Sequence, residues 1–117
     1  MIVYYEYPSC STCKKATKFL TDNGIEVKTI NIKDNPPSKE ELRQFIEKSG
    51  MPIKKFFNTS GQLYRDQKVK EQLETADFET ALDILATSGM MMKRPILVTE
   101  SNVINGFKAE QWEKELL

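Results

Sequence analysis

The chain has 117 residues, the usual length of one domain, so we expect a single domain over residues 1–117. Its 17 Lys and Arg residues balance 17 Asp and Glu residues, and this zero net charge argues against direct nucleic-acid binding. The absence of histidine excludes a Cys–His or Ser–His nucleophile pair, and no apolar run reaches the roughly 18 residues of a membrane span. Because the first residues also lack the pattern of a signal peptide, we expect a cytoplasmic protein without membrane association.

The first third of the sequence predicts a strand, a helix and a second strand. Residues 2–7 are mostly β-branched or aromatic, which is typical of a strand. Ser9 or Ser11 can cap a helix over about 13–23, and residues 27–32 alternate apolar and polar side chains as a second strand does. Because the two strands flank one helix, we expect them to be parallel.

The middle of the sequence predicts a helical insert over about 38–89. Ser38 and Glu41 form a capping box, which opens a helix that Gly50 ends. The other expected elements of the insert are short helices over 69–73 and 78–87, the second lying between Asp77 as its cap and Gly89 as its end.

The last third predicts a hairpin followed by a helix. Residues 96–99 and 103–105 are short apolar strands, and the polar residues 100–102 form the turn between them. A terminal helix over 109–116 places Trp112 on its inner face. The complete order is strand–helix–strand, helical insert, then strand–strand–helix, which predicts an α/β fold.

The two cysteines, Cys10 and Cys13, lie at the junction of the first strand and the first helix. At this spacing on a helical turn their Cα atoms fall within the range that a disulfide tolerates. A thiolate at a helix start is stabilised by unpaired N–H groups and by the helix dipole. We therefore interpret Cys10 as the exposed attacking thiol and Cys13, one turn inside, as the resolving thiol.

Other interpretations of the cysteines stay open at this point. Both could be inert core residues, because cysteine often packs as a small hydrophobic side chain. A zinc site would need two chains sharing four cysteines, or carboxylates as further ligands, so we expect no metal and no cofactor. Lys14, Lys15 and Lys18 add positive charge nearby, although lysines on the outer face of a helix are usually only solvated.

Arg94 and Pro95 come immediately before the third predicted strand. A proline at a strand start removes no ladder hydrogen bond, and its peptide bond can be cis. A guanidinium beside a thiolate would bind an anionic substrate or stabilise the thiolate itself. Without further information, a surface arginine at a strand edge is the simpler interpretation.

The sequence contains four separated motifs, namely YPSCSTCKKA (7–16), FNTSGQLYR (57–65), KRPILV (93–98) and GFK (106–108). Together they resemble the ArsC/Spx/MgsR family, and the resemblance covers essentially the whole chain. This family is a thioredoxin-like group that contains the glutaredoxin-coupled arsenate reductases and the Spx transcription regulators. The resemblance implies a thioredoxin-like fold with a mixed four-stranded sheet, and it places Arg94 and a cis Pro95 beside the reactive cysteine.

The resemblance implies two functions. As an arsenate reductase-like enzyme, the protein would use Cys10 as nucleophile, Arg94 to bind substrate, and glutathione with glutaredoxin, or thioredoxin, as reductant. Asn58 stands where this branch has a second arginine, and Lys108 lies near the place of a third. As an Spx-like regulator, it would use Cys10 and Cys13 as a redox switch and bind the C-terminal domain of the RNA polymerase α subunit. We expect the enzyme rather than the regulator, and a monomer.

Overall fold

The computed structural model describes residues 1–117, and its four strands form one mixed sheet in the order β2-β1-β3-β4. Strand β1 pairs with β2 in parallel, and β3 runs antiparallel to both of its neighbours. The sheet is therefore built from the two ends of the chain, with β1 and β3 at its centre. The strands are β1 (Val3–Glu6), β2 (Lys28–Asn31), β3 (Ile96–Val98) and β4 (Val103–Asn105).

Six α-helices accompany the sheet, and none of them has the length and apolar character needed to cross a membrane. Helix α1 connects the two parallel strands, α2 to α5 lie between β2 and β3, and α6 follows β4. This order confirms the expected thioredoxin-like α/β fold. The helices are α1 (Ser11–Asp22), α2 (Lys39–Ser49), α3 (Gln62–Asp66), α4 (Val69–Thr75), α5 (Phe78–Leu85) and α6 (Ala109–Leu116), with 3₁₀ turns at Ile53–Phe56 and Gly89–Met91.

Two hydrophobic clusters cover the two faces of the sheet, because successive residues of a strand point to opposite faces. Tyr4 packs with α1 and α6, where its ring meets Trp112 edge-on at 6.2 Å between centroids. Tyr5, its neighbour in β1, belongs to the larger cluster formed with the helices between β2 and β3. These helices thus pack directly against the central strands through Tyr5 and Ile96.

Helix ends within the middle of the chain largely follow the sequence. The capping box of Ser38 and Glu41 opens α2, Gly50 ends it with a φ of +70°, and Asp77 caps α5. Gly89, however, does not end α5, which already stops at Leu85. Gly89 instead begins the second 3₁₀ turn, where an added Cβ would stand 2.0 Å from the Ile32 carbonyl oxygen. The reason for glycine here is therefore the close approach of two backbones.

Candidate active site

Cys10 is the N-cap of helix α1, where the sequence predicted Ser9 or Ser11. Its backbone is extended, at φ −81° and ψ 121°, and its Sγ accepts a hydrogen bond from the Cys13 backbone N–H at 3.3 Å. The helix consequently starts at Ser11, two residues earlier than expected. A tight turn leads from β1 into this cap, since the Cys10 N–H donates to the Tyr7 carbonyl at 3.0 Å. The Cys10 sulfur therefore lies at the N-terminal end of α1, hydrogen-bonded to a backbone N–H of the first helical turn.

Cys13 lies behind Cys10, in the first turn of α1, and is only 2 % exposed. Burial raises the pKa of its thiol to about 12; the Tyr7 backbone opposes this shift, and the neighbouring Cys10 adds to it. The Tyr4 hydroxyl donates to the Cys13 carbonyl at 3.0 Å and so ties this turn to β1. Both thiols are free in the structure. Cys10 is half-buried rather than exposed, so that part of the prediction was wrong, but Cys13 is the better shielded of the two, as predicted.

Arg94 lies across the end of β1, beside Tyr7. Its guanidinium stands 5.6 Å above the Tyr7 ring centre, and its Nη1 donates to the Met92 carbonyl at 3.2 Å. Its Nε is buried without a hydrogen-bond partner. The Arg94–Pro95 peptide bond is cis, which confirms that expectation, and Pro95 itself is buried. The Arg94 side chain is therefore held in place by Tyr7 and Met92, and its Nε–H remains free to donate a hydrogen bond.

Cys10 and Arg94 line the same cleft, which we call the Cys10 cleft and which has a volume of about 340 Å³. Cys13 does not line it. Cys13 instead borders a smaller cleft, of about 280 Å³, together with Glu6 and Lys14. A substrate in the Cys10 cleft would therefore meet one thiol only. The lining of the Cys10 cleft consists of Cys10, Thr12, Asn58, Ser60, Lys93, Arg94, Asn105, Gly106, Phe107 and Lys108.

Two glycines make room for polar side chains in the wall of this cleft. A Cβ on Gly61 would stand 2.7 Å from Asn58 Nδ2, and a Cβ on Gly106 would stand 3.0 Å from Lys93 Cε. The Asn58 amide and the Lys93 stem thus fold over these glycines. Gly106 also has a φ of +68°, a conformation that favours glycine by itself. Lys93 is the first residue of the KRPILV motif, but the sequence did not indicate its position in this cleft.

The other charged groups near the cysteines border either the cleft of Cys13 or neither cleft. Lys18 pairs with Asp22 at 2.7 Å, whereas Lys14 borders the cleft of Cys13. The Glu6 carboxyl, which the sequence did not indicate, borders that cleft too; one of its oxygens is buried without a partner, and burial raises its pKa. No group of three or more His, Cys, Asp or Glu side chains could hold a metal ion. The cleft of Cys13 is thus bordered by one carboxyl and one lysine, whereas the Cys10 cleft is bordered only by cations among the charged side chains.

Comparison with known proteins points to one family. The sequence model of the ArsC family matches residues 5–115. The uncharacterized protein YusI of Bacillus subtilis is 46% identical over 97% of this chain and 96% of its own length. A crystal structure from Streptococcus mutans, described as a possible arsenate reductase, is 41% identical, with a TM-score of 0.87 over 97% of this chain and 98% of that chain.

The relatives also include regulators. The global transcriptional regulator Spx of Enterococcus faecalis is 25% identical over 95% of this chain and 83% of its own length. The similarity thus extends to arsenate reductase-like and regulatory proteins that share one thiol-redox fold. Because the family match spans nearly all of the sequence, the chain belongs to the ArsC family.

Proposed function

We propose that the protein is a thiol-dependent oxidoreductase of the arsenate reductase-like type, with Cys10 as nucleophile and Cys13 as resolving thiol. One observation carries the proposal: the Cys10 sulfur caps α1 and borders a cleft, while Cys13 is buried one turn behind it. This difference in access matches the two roles, because the attacking thiol must meet substrate and the resolving thiol must meet only Cys10.

The proposed reaction passes two electrons from the cysteines to an oxidised substrate. The Cys10 thiolate attacks the oxidised atom of the substrate and forms a covalent bond to it, while a bond of that atom breaks; with arsenate, an As–O bond breaks and the oxygen leaves as water. Cys13 then attacks Cys10 Sγ, so that the reduced substrate leaves with the bonding electron pair and a Cys10–Cys13 disulfide remains. The proton of the Cys13 thiol goes to the leaving group or to water. A thiol reductant, such as glutathione with glutaredoxin or thioredoxin, returns the disulfide to two thiols.

Arg94 is proposed to bind the anionic part of the substrate beside Cys10. It borders the Cys10 cleft, and its guanidinium, placed over Tyr7, has a nitrogen without a partner. Pro95 is proposed to have a structural role, because it follows Arg94 directly and is buried. Its position fixes the segment from which Arg94 reaches the cleft.

A coupled turnover assay tests the enzyme proposal. Arsenate would be the substrate, with glutathione and glutaredoxin, or thioredoxin, as the reductant. Loss of turnover in both Cys10→Ser and Arg94→Ala, with retained turnover in Arg43→Ala, would support it. Arg43 is a suitable control because it lies in α2 and pairs with Glu79, outside the Cys10 cleft. Turnover that persists in Cys10→Ser would contradict the assignment of the nucleophile.

A second candidate function is an Spx-like redox-sensing regulator that binds the C-terminal domain of the RNA polymerase α subunit. The retained Cys10 and Cys13 pair and the similarity to Spx over 95% of the chain favour it. A pull-down against that polymerase domain, with oxidised and reduced protein, separates the candidates. Binding in one redox state only, without turnover of any substrate, would select the regulator. Both candidates place the protein in the cytoplasm, and we propose that it is a monomer.

A further inference from the structure

A second cleft adjoins the Cys10 cleft and extends it. The second cleft has a volume of about 570 Å³, against about 340 Å³ for the Cys10 cleft. Asn58, Ser60 and Lys93 border both, so a ligand can reach from one into the other. These volumes suit a small organic molecule, whereas a single tetrahedral oxyanion would occupy only a fraction of them. The added cleft is lined by Pro52, Lys54, Lys55, Phe57, Asn58, Thr59, Ser60 and Lys93.

The two clefts together form what we call the cationic groove, defined by Lys54, Lys55, Lys93, Arg94 and Lys108. Neither cleft contains an aspartate or glutamate, although the chain as a whole has a net charge of zero. None of the five cations forms a salt bridge; the ion pairs of the structure involve other lysines and Arg43. A groove lined by one sign of charge concentrates ligands of the opposite sign.

The charge is distributed along the groove rather than focused at the sulfur. Arg94 and Lys108 border the Cys10 cleft, whereas Lys54 and Lys55 border the second cleft and not the Cys10 cleft. Lys93 belongs to both, and its stem is held over Gly106. A compact anion bonded to Cys10 would leave the far lysines without a partner. A ligand with separated negative groups would engage both ends at once.

We propose that the substrate bound at Cys10 is the disulfide of a low-molecular-mass thiol carrying two or more carboxylates, an inference that rests on the proposed function. One half of the disulfide reacts at Cys10, and its carboxylates lie along the cationic groove. This assignment deepens the oxidoreductase proposal by naming the class of its substrate. The reductant of the Cys10–Cys13 disulfide is then thioredoxin, because a low-molecular-mass thiol that supplied the electrons would only regenerate its own disulfide.

The chemistry of this substrate balances with two thiols. The Cys10 thiolate attacks the sulfur of the acidic half, the S–S bond of the substrate breaks, and the other half leaves as a thiolate. The new bond joins Cys10 to the acidic half. Cys13 then attacks Cys10 Sγ, releases the acidic half as a second thiolate, and completes the Cys10–Cys13 disulfide. Two electrons have passed from the protein to the substrate, and the two protons of the protein thiols are available to the two products.

Trapping of the first adduct tests the proposal. The Cys13→Ser variant stops the reaction at the mixed disulfide, which intact-mass measurement detects. Three probes differ in charge: glutathione disulfide carries carboxylates, 2-hydroxyethyl disulfide is neutral, and cystamine is cationic. The rate at which each probe forms the adduct on Cys10 is divided by the rate at which free 2-mercaptoethanol reacts with the same probe. This ratio removes intrinsic differences in reactivity among the three disulfides. We expect the normalised rate for glutathione disulfide to exceed that for the neutral probe about tenfold, and cystamine to be slowest.

A matched pair of charge variants locates the effect. Lys55→Gln/Lys93→Gln, made in the Cys13→Ser background, should reduce the preference for glutathione disulfide to about twofold. Lys28→Gln/Lys33→Gln removes the same charge from exposed positions outside the groove and should preserve the preference. Equal normalised rates for the three probes, or equal losses in the two double variants, would overturn the proposal.

Two further outcomes separate this inference from the proposed function. If Cys10 reacts with none of the three disulfides, the role of Cys10 as nucleophile fails, and the inference fails with it. If Cys10 reacts with the neutral probe as readily as with the acidic one, only the inference fails. A third outcome would assign the site to a compact oxyanion instead. In that case the three disulfides would react equally well, and inorganic phosphate would inhibit Lys55→Gln/Lys93→Gln as strongly as the protein with both lysines.

Discussion

The backbone N–H of Cys13 donates a hydrogen bond to Cys10 Sγ across 3.3 Å, so the sulfur proposed to attack a substrate is also the cap of helix α1. The cysteine therefore stabilises the helix start with the same atom that is proposed to react with a substrate. The same contact fixes the first turn of α1, on which Cys13 lies. Reactivity and local stability at this junction are thus linked through one hydrogen bond.

Substitution of Cys10 should separate capping from reactivity. Cys10→Ala removes the cap and should lower the free energy of unfolding by about 1 kcal/mol, whereas Cys10→Ser retains an N-cap oxygen and should change it little. Urea unfolding under reducing conditions measures both. Ser9→Ala is the control, because Ser9 is exposed and does not cap the helix, and its effect should stay within about 0.5 kcal/mol. A larger loss in Ser9→Ala than in Cys10→Ala would show that the cap is misassigned.

The buried thiol of Cys13 should resist alkylation at neutral pH. Burial raises its pKa to about 12, above the unperturbed value of about 8.5, so folding favours the neutral thiol. In Cys10→Ser, iodoacetamide should label Cys13 slowly up to pH 9, and urea should accelerate the labelling at least tenfold. The contribution of the Cys13 thiol to the free energy of unfolding is complete below about pH 8.5. It decreases as the pH rises toward about 12, the pKa of this thiol in the folded protein. Rapid labelling of the folded variant at pH 7 would contradict the burial argument.

Arg94 should affect reactions of Cys10 with anionic reagents more than those with neutral ones. Loss of a charge-assisted hydrogen bond costs about 1.5 kcal/mol, so Arg94→Ala should slow the anionic reaction roughly tenfold. Arg94→Lys should restore only part of the rate, because an ammonium supplies the charge without the paired N–H donors of the planar guanidinium. Stopped-flow kinetics with glutathione disulfide and 2-hydroxyethyl disulfide would measure this difference, with Arg43→Ala as the control. Equal slowing with both reagents would remove Arg94 from substrate binding.

Gly89 should be a critical contact between the middle of the chain and the residue that directly follows β2. Its added Cβ would stand 2.0 Å from the Ile32 carbonyl oxygen, and backbone cannot move aside cheaply, so Gly89→Ala should cost about 3 kcal/mol. Gly24→Ala is the control: its added Cβ meets no atom within 4 Å and only forces alanine to a φ of +63°, a cost of about 1 kcal/mol.

We further propose that residues 1–117, including the insert over about 38–89, form one domain and unfold in a single transition. Two separate transitions in thermal unfolding would refute this part.

The sequence predicted most elements because their signals are local. Alternating strands, the capping box of Ser38 and Glu41, and the left-handed Gly50 all depend on residues within a few positions of each other. Helix α3 escaped prediction, since Gln62–Asp66 is a single turn without a side-chain cap. Gly89 was misread as a helix end, because the residue that requires it, Ile32, is far away in the sequence.

The candidate site was predictable only in part for the same reason. The cysteine spacing and the family motifs pointed to Cys10, Cys13 and Arg94. Lys54 and Lys55 carry no motif of their own, and only the folded chain brings them near the cysteines. The cap at Cys10 was missed because serines on either side of it are the more common N-cap residues.

The most direct test of the central claim is a quantitative thiol count before and after one equivalent of a small disulfide such as 2-hydroxyethyl disulfide. Alkylation with mass analysis should find two free thiols in reduced protein, and none after oxidation, with the protein mass lower by two hydrogens and two equivalents of 2-mercaptoethanol released. Cys13→Ser should instead retain the mixed disulfide at Cys10. A wild-type protein that keeps a stable adduct on Cys10, or that forms only disulfide-linked dimers, would contradict the assignment of Cys10 as nucleophile and Cys13 as resolving thiol.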